Sequence, residues 1–436
     1  MVYSTYSVLF LTIYFSFIIT LILVCFVLPD SHPLSHFVNT SLPKYLLRPF
    51  SPYLRSKIYN VYDYIVNKPN PIMQIIYCAI VTSAYYTMIK YGYPLIDETN
   101  TNHYPNRKVR IPSYHKTLGY IVFALCYYTF YLSSFTSAGN LTAETVSTYS
   151  NYSYDNVLYV SRICKTTKFR KVPRSKYDRT TERQIPRFDH FCVWINNAVG
   201  EENYRFFGLF IGVHMGMLGY GFWASLMCIR WVCERDSLWS SKYYSVSGGE
   251  PIDASWKVVL KYLGYHELPL CGLVILAGAM GFVMAGFVAF HLYIAARGMT
   301  TNEFFKWRDV KAWHARAKKR YENAKPEERG PKFDISKAEY EMVGVERDVG
   351  CVSVGSSEAL NDDADAKDDD EVDENLVQDP GPLPKNIYDR GIWENLGEVI
   401  WPRSLREKKE GQGGGQSGEN AASSTKKKKT KKKKKN

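Results

Sequence analysis

The stretch L-P-L-C-G-L-V-I-L-A-G-A-M-G-F-V-M-A-G-F-V-A-F-H-L-Y-I-A-A, residues 268–296, decides the architecture. It contains no Lys, Arg, Asp or Glu and stops at Arg297. A helix that crosses a bilayer needs about 20 mostly apolar residues, and this run exceeds that. Working outward, Phe206–Ile229, ended by Arg230, reads the same way. Toward the N-terminus lie Leu118–Phe135, Ile72–Ile89 (ended by Lys90) and Val8–Leu28. The second and third runs are about 18 residues each and also fit buried helices of a soluble protein; the other three are too long for that. No charge precedes Val8–Leu28, and neither a basic flank nor a small-residue cleavage site is evident. It is therefore read as an uncleaved span rather than a secretory signal.

Positive charge orients the spans. The 29–71 loop, the segment from Arg162 to Arg187 and the segment from Arg297 to Arg320 are all rich in Lys and Arg. Five spans with the N-terminus outside put all three in the cytosol. The 90–117 loop, with Arg107, Lys108, Arg110 and Lys116, dissents, so the orientation is a majority reading. The sequons at Asn39, Asn140 and Asn151 would then face the cytosol unused. The net charge of the 436-residue chain is +12, but nine of its cations are the lysines between Lys426 and Lys435. The basic balance is thus a tail effect, and no nucleic-acid-binding domain is implied. The nine cysteines are scattered, unlike a secreted disulfide framework. Small residues recur at four-residue spacing in span four (Gly208, Gly212, Gly216) and span five (Ala277, Gly281, Ala285, Ala289). This spacing predicts close helix approach. His214 and His291 are the ionisable residues inside those two spans, whereas a proton- or ion-coupled transporter needs more buried charge.

The chemistry is concentrated before span four. Arg170 to Phe207 reads R-K-V-P-R-S-K-Y-D-R-T-T-E-R-Q-I-P-R-F-D-H-F-C-V-W-I-N-N-A-V-G-E-E-N-Y-R-F-F. Asp189, His190 and Cys192 fall within four residues, about 14 before the span. A thiolate is a strong nucleophile, an imidazole can take its proton, and a carboxylate fixes that imidazole's tautomer. On a helix His190 and Cys192 would diverge by about 200°, so the segment is expected to be a loop. Alone, D-H-x-C is weak, and chance proximity is its ordinary reading.

The wider pattern F-D-H-F-C-V-W-I-N-N-A-V-G-x-x-N-Y-x-x-F resembles the core signature of the DHHC protein S-acyltransferases, the palmitoyltransferases. After span five, Thr300-Thr301-Asn302-Glu303 matches that family's Thr-Thr-x-Glu motif. N-I-Y-D-R-G-I-W-E-N-L (Asn386–Leu396), including Asn395, resembles its C-terminal segment. The five-span layout, G-M-T-T-N-E and the N-I-Y-D ending look most like the fungal branch that acylates SNARE-type membrane proteins. The resemblance implies a mainly α, polytopic membrane helix bundle of about five spans, with a cytosolic loop-rich catalytic domain between spans three and four. It implies Cys192 as nucleophile, His190 as general base and Asp189 as its orienting carboxylate. Thr300, Thr301, Glu303 and Asn395 are supports. Palmitoyl-CoA is the donor, with Arg183 and Arg187 as candidate phosphate contacts, although the basic loop equally suits anionic lipid. The partners implied are the lipid bilayer and membrane-anchored proteins such as SNAREs, with no nucleic acid. The site is expected on the cytosolic face of the endoplasmic reticulum membrane, a location that the ending Lys433-Lys434-Lys435-Asn436 also fits.

The departures concern metal. In the family the second His of D-H-H-C ligates zinc; here it is Phe191. Cys164 stands at the first of the upstream ligand positions, Thr167, Tyr177, Asp178, Thr181 and Gln184 at the next five, and Ala198 replaces the Cys after the paired Asn. A structural zinc site needs four N/S ligands, so no cofactor and no zinc is expected. A cluster of Tyr177, Phe188, Phe191 and Trp194, helped by ion pairs of Asp178 and Glu182 with the alternating arginines, is the expected substitute. The expected organisation is spans and loops over 1–138, the catalytic domain over 139–205, spans over 206–297, a C-terminal region over 298–404 interrupted by an acidic linker at 352–380, and a disordered tail over 405–436. A non-catalytic membrane scaffold of the same fold is the alternative function.

Overall fold

A computed structural model describes residues 51–161, 163, 168–244, 250–332 and 376–404. The expected span Val8–Leu28, most of the acidic linker, Cys164, Thr167 and the Lys-rich tail lie outside the described residues. Four described helices are long and apolar enough to cross a membrane: Ile72–Glu98, Tyr114–Phe135, Tyr204–Arg235 and Leu268–Ala296. The chain is a mainly helical, multi-pass membrane protein.

In chain order the helices are α1 (Pro52–Asn67), α2 (Ile72–Thr87), α3 (Tyr93–Glu98), α4 (Tyr114–Phe135), α5 (Val146–Tyr149), α6 (Tyr204–Arg235), α7 (Trp256–His266), α8 (Leu268–Ala296), α9 (Thr301–Asn323) and α10 (Ile392–Ile400). Lys90 does not end the second span as expected. α2 runs through a π-helical turn, Met88–Gly92, into α3. The lysine is accommodated because its ammonium lies over the rings of Tyr86 and Tyr91, at 5.9 and 5.3 Å from their centroids.

The described residues form two units. The first gathers 51–135, 193–196 and 206–290. Its main core joins Tyr93, Leu95, Ile96, Val109 and Ile111 to Cys228, Trp231, Val232, Leu238, Val259, Leu263 and Leu270. The 90–117 and 230–267 connections thus share one core, as two loops on the same side of a bilayer can. Glu234 fastens them by accepting from the backbone N–H groups of Lys108 and Val109. Among the described residues, a Cβ at Gly208, Gly212 or Gly216 of span four would meet nothing within 4 Å. On span five the expected Gly281 does approach α6, against Leu218, and Gly278 meets Phe222.

The second unit gathers 136–192, 197–205 and 291 onward. It holds the hairpin β1 (Lys176–Asp178) with β2 (Arg183–Ile185), the hairpin β3 (His190–Cys192) with β4 (Asn197–Val199), and a parallel pair of Arg329–Lys332 with Val377–Asp379. That last pairing gives the end of the expected linker a fixed place. α9 begins with a capping box: Thr300 Oγ1 accepts from Glu303 N–H, and Glu303 Oε2 accepts from Thr300 N–H. Glu303, Trp307 and Val310 recur at i, i+4 and i+7 and form its buried face. Trp307 and Val310 pack with Tyr152, Val157, Leu158, Tyr159 and Tyr388.

Between α8 and α9 the chain turns at Gly298, whose φ is +63° and whose missing Cβ would lie 2.4 Å from Tyr388 O. Gly298→Ala should therefore cost more than the ~1–2 kcal/mol of a left-handed backbone alone. Gly208→Ala should change stability by less than about 0.5 kcal/mol. Thermal unfolding of the two purified variants checks the difference, and equal midpoints would contradict it.

Candidate active site

The site is built on the β3–β4 hairpin. Its register pairs His190 with Val199, Phe191 with Ala198 and Cys192 with Asn197. The expected loop is thus a strand. In a strand residues i and i+2 project from the same face, so His190 and Cys192 sit side by side where a helix would have parted them. Phe191 projects from the opposite face and packs against Ala138, Ile185, Phe188 and Ala198. Asn197 Nδ2 donates to Thr136 O at 2.8 Å. Asn203 Nδ2 donates to Ala198 O at 2.8 Å, and its Oδ1 accepts from Gly200 N–H. Gly200 is required at the hairpin's exit, because a Cβ there would lie 2.5 Å from Ile185 and 2.6 Å from Ala138 O.

Asp189 is 1% exposed. Its backbone N–H donates to Val199 O at 2.8 Å. Its carboxylate is held on two sides: Thr301 N–H donates to Oδ1 at 2.6 Å and Thr301 Oγ1 to Oδ2 at 2.9 Å, while His190 Nδ1 lies 2.6 Å from Oδ2. Burial raises the carboxyl's proton affinity. The His190 hydrogen bond and charge, His291 and the Thr301 N–H outweigh it and hold the group below the ordinary Asp range. For His190 burial acts downward, but hydrogen bonds to Asp189 and Cys192 prevail and lift it to about 10. The imidazole is thus protonated near neutrality and bonded on one side to a buried carboxylate and on the other to the thiol. An imidazole bonded to a thiol is placed to take its proton as the sulfur reacts. His190 keeps 27% of its side chain exposed, and Cys192 is a half-buried free thiol, so a reactant can reach them.

The Thr-Thr-x-Glu residues divide the labour. Thr300 caps α9, Thr301 holds Asp189, and Glu303 pairs with Arg174. Arg174 Nε donates to Oε1 at 2.7 Å and its NH2 to Oε2 at 2.6 Å and to Gly298 O at 2.8 Å. Its guanidinium lies over the rings of Tyr388 (4.6 Å) and Tyr152 (5.0 Å), and Tyr159 donates to Glu303. Arg174 is 1% exposed with φ +65°, a conformation that persists only where the surroundings impose it. Sequence reading missed it, because one arginine in a basic run looks like its neighbours. The signal available was the buried-face position of Glu303, which demands a cation. Also missed was the neighbouring pair of Tyr204 and His291: Tyr204 OH lies 3.1 Å from His291 Nδ1, and the His291 ring centroid is 6.0 Å from that of His190.

Asn395 joins this framework from the C-terminal side, donating to Ala296 O at 2.9 Å and Asp389 Oδ1 at 2.8 Å. Of the two arginines expected at the coenzyme phosphates, Arg183 is exposed on β2. Arg187 is buried, with its guanidinium on the Tyr204 ring and its NH1 toward Glu398 O.

Among the described residues, the family's zinc positions, as the resemblance aligns them, do not fit a metal. Phe191 and Ala198 face each other inside the apolar cluster. Asp178 is occupied by Thr181, which donates from its N–H at 3.0 Å and its hydroxyl at 2.6 Å. Gln184 donates to Ser175 Oγ at 2.8 Å. The substitute cluster differs from the expected one. Phe188 and Phe191 belong to it, joined by Ile185, Ala138 and Ala198. Trp194, in the turn after Cys192, is 44% exposed, and Tyr177 pairs with Gln184 on the β1–β2 hairpin outside the cluster.

Two outcomes follow from the hydrogen bonding. Thr301→Val removes the hydroxyl that anchors Asp189, so alkylation of Cys192 by iodoacetamide should slow by about tenfold, a part of the roughly 10²–10⁴ that a general base contributes, while Thr301→Ser retains the wild-type rate. Equal rates in both variants would show that the hydroxyl does not matter. His190 titrates near 10 when folded against 6.5 as a free side chain. Its raised value means that its protonation stabilises the fold fully below about 6.5 and that this contribution is lost as pH rises through about 10. The difference in unfolding midpoint between wild type and His190→Gln should shrink across that window, and a pH-independent difference would contradict it.

Residues 159–308 match the DHHC palmitoyltransferase family. The chain is 29% identical over 346 residues to palmitoyltransferase SWF1 of Yarrowia lipolytica, covering 76% of this chain and 79% of that one. It is 25% identical over 256 residues to palmitoyltransferase swf1 of Schizosaccharomyces pombe, covering 57% and 62%. It is 28% identical over 197 residues to palmitoyltransferase ZDHHC4 of Bos taurus, covering 44% and 57%. The matched segment contains the hairpin, the last two spans and the Thr-Thr-x-Glu turn, and the similarity to palmitoyltransferase SWF1 extends over 76% of the chain, so the chain carries a segment of the DHHC palmitoyltransferase type.

Proposed function

We propose that this palmitoyltransferase works by two acyl transfers through Cys192. The observation that carries the reading is the continuous hydrogen-bonded line Thr301–Asp189–His190–Cys192. In the first transfer His190 holds the proton of the Cys192 thiol, and the thiolate attacks the thioester carbonyl of palmitoyl-CoA. The CoA sulfur leaves and takes the proton from His190. In the second, His190 accepts the proton of an acceptor cysteine, whose sulfur displaces Cys192, and Cys192 is reprotonated. Asp189 keeps the imidazole's Nδ1 occupied so that its other nitrogen faces the sulfur. The turn Val193–Asn196, next in the chain after Cys192, is bonded to the start of a membrane span: Asn70 N–H donates to Asn196 Oδ1 at 2.9 Å and Gln74 to Ile195 O at 3.1 Å. This supports a thioester formed where acyl chain and coenzyme part company.

The acceptors in this reading are membrane-proximal cysteines of SNARE-like proteins, and the enzyme resides in the endoplasmic reticulum membrane with its site toward the cytosol. Similarity to the fungal SNARE-acylating branch supports both. Arg183 is the candidate contact for the coenzyme's phosphates, while Arg187 serves the fold. The catalytic unit holds together without zinc, supported by the apolar packing of Phe191 and Ala198 at ligand positions.

Cys192→Ser should abolish the hydroxylamine-sensitive label formed from radioactive palmitoyl-CoA in the purified full chain. A normal label in that variant would overturn the assignment. The same preparation should contain far less than one zinc per chain and keep its labelling rate in a strong chelator. One zinc per chain with chelator-sensitive labelling would show that other residues hold a metal.

A further inference from the structure

α10 is inverted for a helix in water. At about 100° per residue, Ile392, Trp393, Leu396 and Ile400 share one arc, and Asn395 and Glu398 lie on the other side. The polar side faces inward: Asn395 and Glu398 are buried. The apolar arc faces outward, with Trp393 86%, Ile400 65% and Ile392 57% exposed, and Ile387 and Trp401 extend it on either flank. The inward side is accounted for. Asn395 binds Ala296 O and Asp389, while Glu398 accepts from Tyr152 and pairs with Arg390 and Arg403. The outward side is a contiguous apolar patch of the kind that marks an interaction surface.

The bonds on the inward side say what lies against the outward one. Ala296 is the last residue of a span, and Asn395 donates to its carbonyl; Asn386 Nδ2 donates to Arg297 O at 3.0 Å. Segment 386–395 is therefore fastened to the residues at which the chain leaves the bilayer. Arg297, largely exposed, marks the headgroup level there. A helix at that depth meets lipid. Its composition suits that neighbour: tryptophan and isoleucines on the outward side, with the exposed Lys385 on the segment leading into it.

We infer that α10 lies in the membrane–water interface and seats Ile392, Trp393, Leu396 and Ile400 among phospholipid acyl chains. Lipid contact on the outer side then presses the inner side, with Asn395 and Glu398, onto the framework that carries Arg174 and Glu303.

The test uses the full chain in phosphatidylcholine nanodiscs, with p-benzoylphenylalanine placed in turn at Trp393, Ile400 and Glu394, the last being exposed on the other side of the helix. Irradiation followed by intact-mass analysis should give one-phospholipid adducts at Trp393 and Ile400 about tenfold above those at Glu394, as expected for a helix with one immersed face. Equal lipid labelling at the three positions would overturn the inference. So would cross-links at Trp393 that join two copies of the chain, since the face would then be a protein interface. The readout does not depend on acyl transfer, so it stands or falls separately from the catalytic assignment.

Discussion

A carboxylate taken out of water must have its lone pairs filled, and the arrangement of the second unit follows from how Asp189 meets that demand. Two donors come from one residue, Thr301, through its backbone and its hydroxyl, and the third is the imidazole that the carboxylate orients. Thr301 is the first residue of α9, where backbone N–H groups have no helical partner and the helix dipole favours negative charge. A helix start thus supplies the site's electrostatic ground, and the geometry of Cys192 inherits the geometry of that helix start.

The start itself is fixed by a buried ion pair. Arg174 and Glu303 are both about 1% exposed, so the pair is costly to desolvate and depends on good geometry. It has that geometry: two hydrogen bonds between the ions, a third from Arg174 to Gly298 O, and the rings of Tyr152 and Tyr388 against the guanidinium. The pair connects the loop before the hairpin to the turn after the last span. Asn395 fastens the C-terminal segment to the same turn. Motifs far apart in sequence therefore converge on a few residues around Gly298.

The four described spans were legible because length and the absence of charge report on a bilayer directly. The triad was legible because three reactive residue types fell within four positions, and the Thr-Thr-x-Glu motif and Asn395 were legible through resemblance. The conformation of the triad was not. Helical periodicity parts His190 and Cys192 and implies a loop, whereas a three-residue strand puts them on one face. Of the small residues spaced along the two spans, Gly281 meets α6 while Gly208, Gly212 and Gly216 meet no described residue, because spacing marks a face without saying what meets it. Arg174 and Arg187 were indistinguishable from solvated charges. Their burial is set by partners distant in sequence, Glu303 for Arg174 and Tyr204 and Glu398 for Arg187, which residue type does not advertise.

The alternation of the β3 strand has a consequence for how such a chain drifts over generations. Its two faces carry separate burdens: chemistry on the side of His190 and Cys192, cohesion on the side of Phe191. Changes behind the strand can accumulate without touching the nucleophile, provided that the volume stays filled. A cohesive face made of Phe188, Phe191, Ile185, Ala138 and Ala198 contains no sulfur. Peroxide or disulfide stress, which attacks clustered thiolates, finds nothing to oxidise there and is left with the half-buried Cys192 itself as the group to modify in that hairpin.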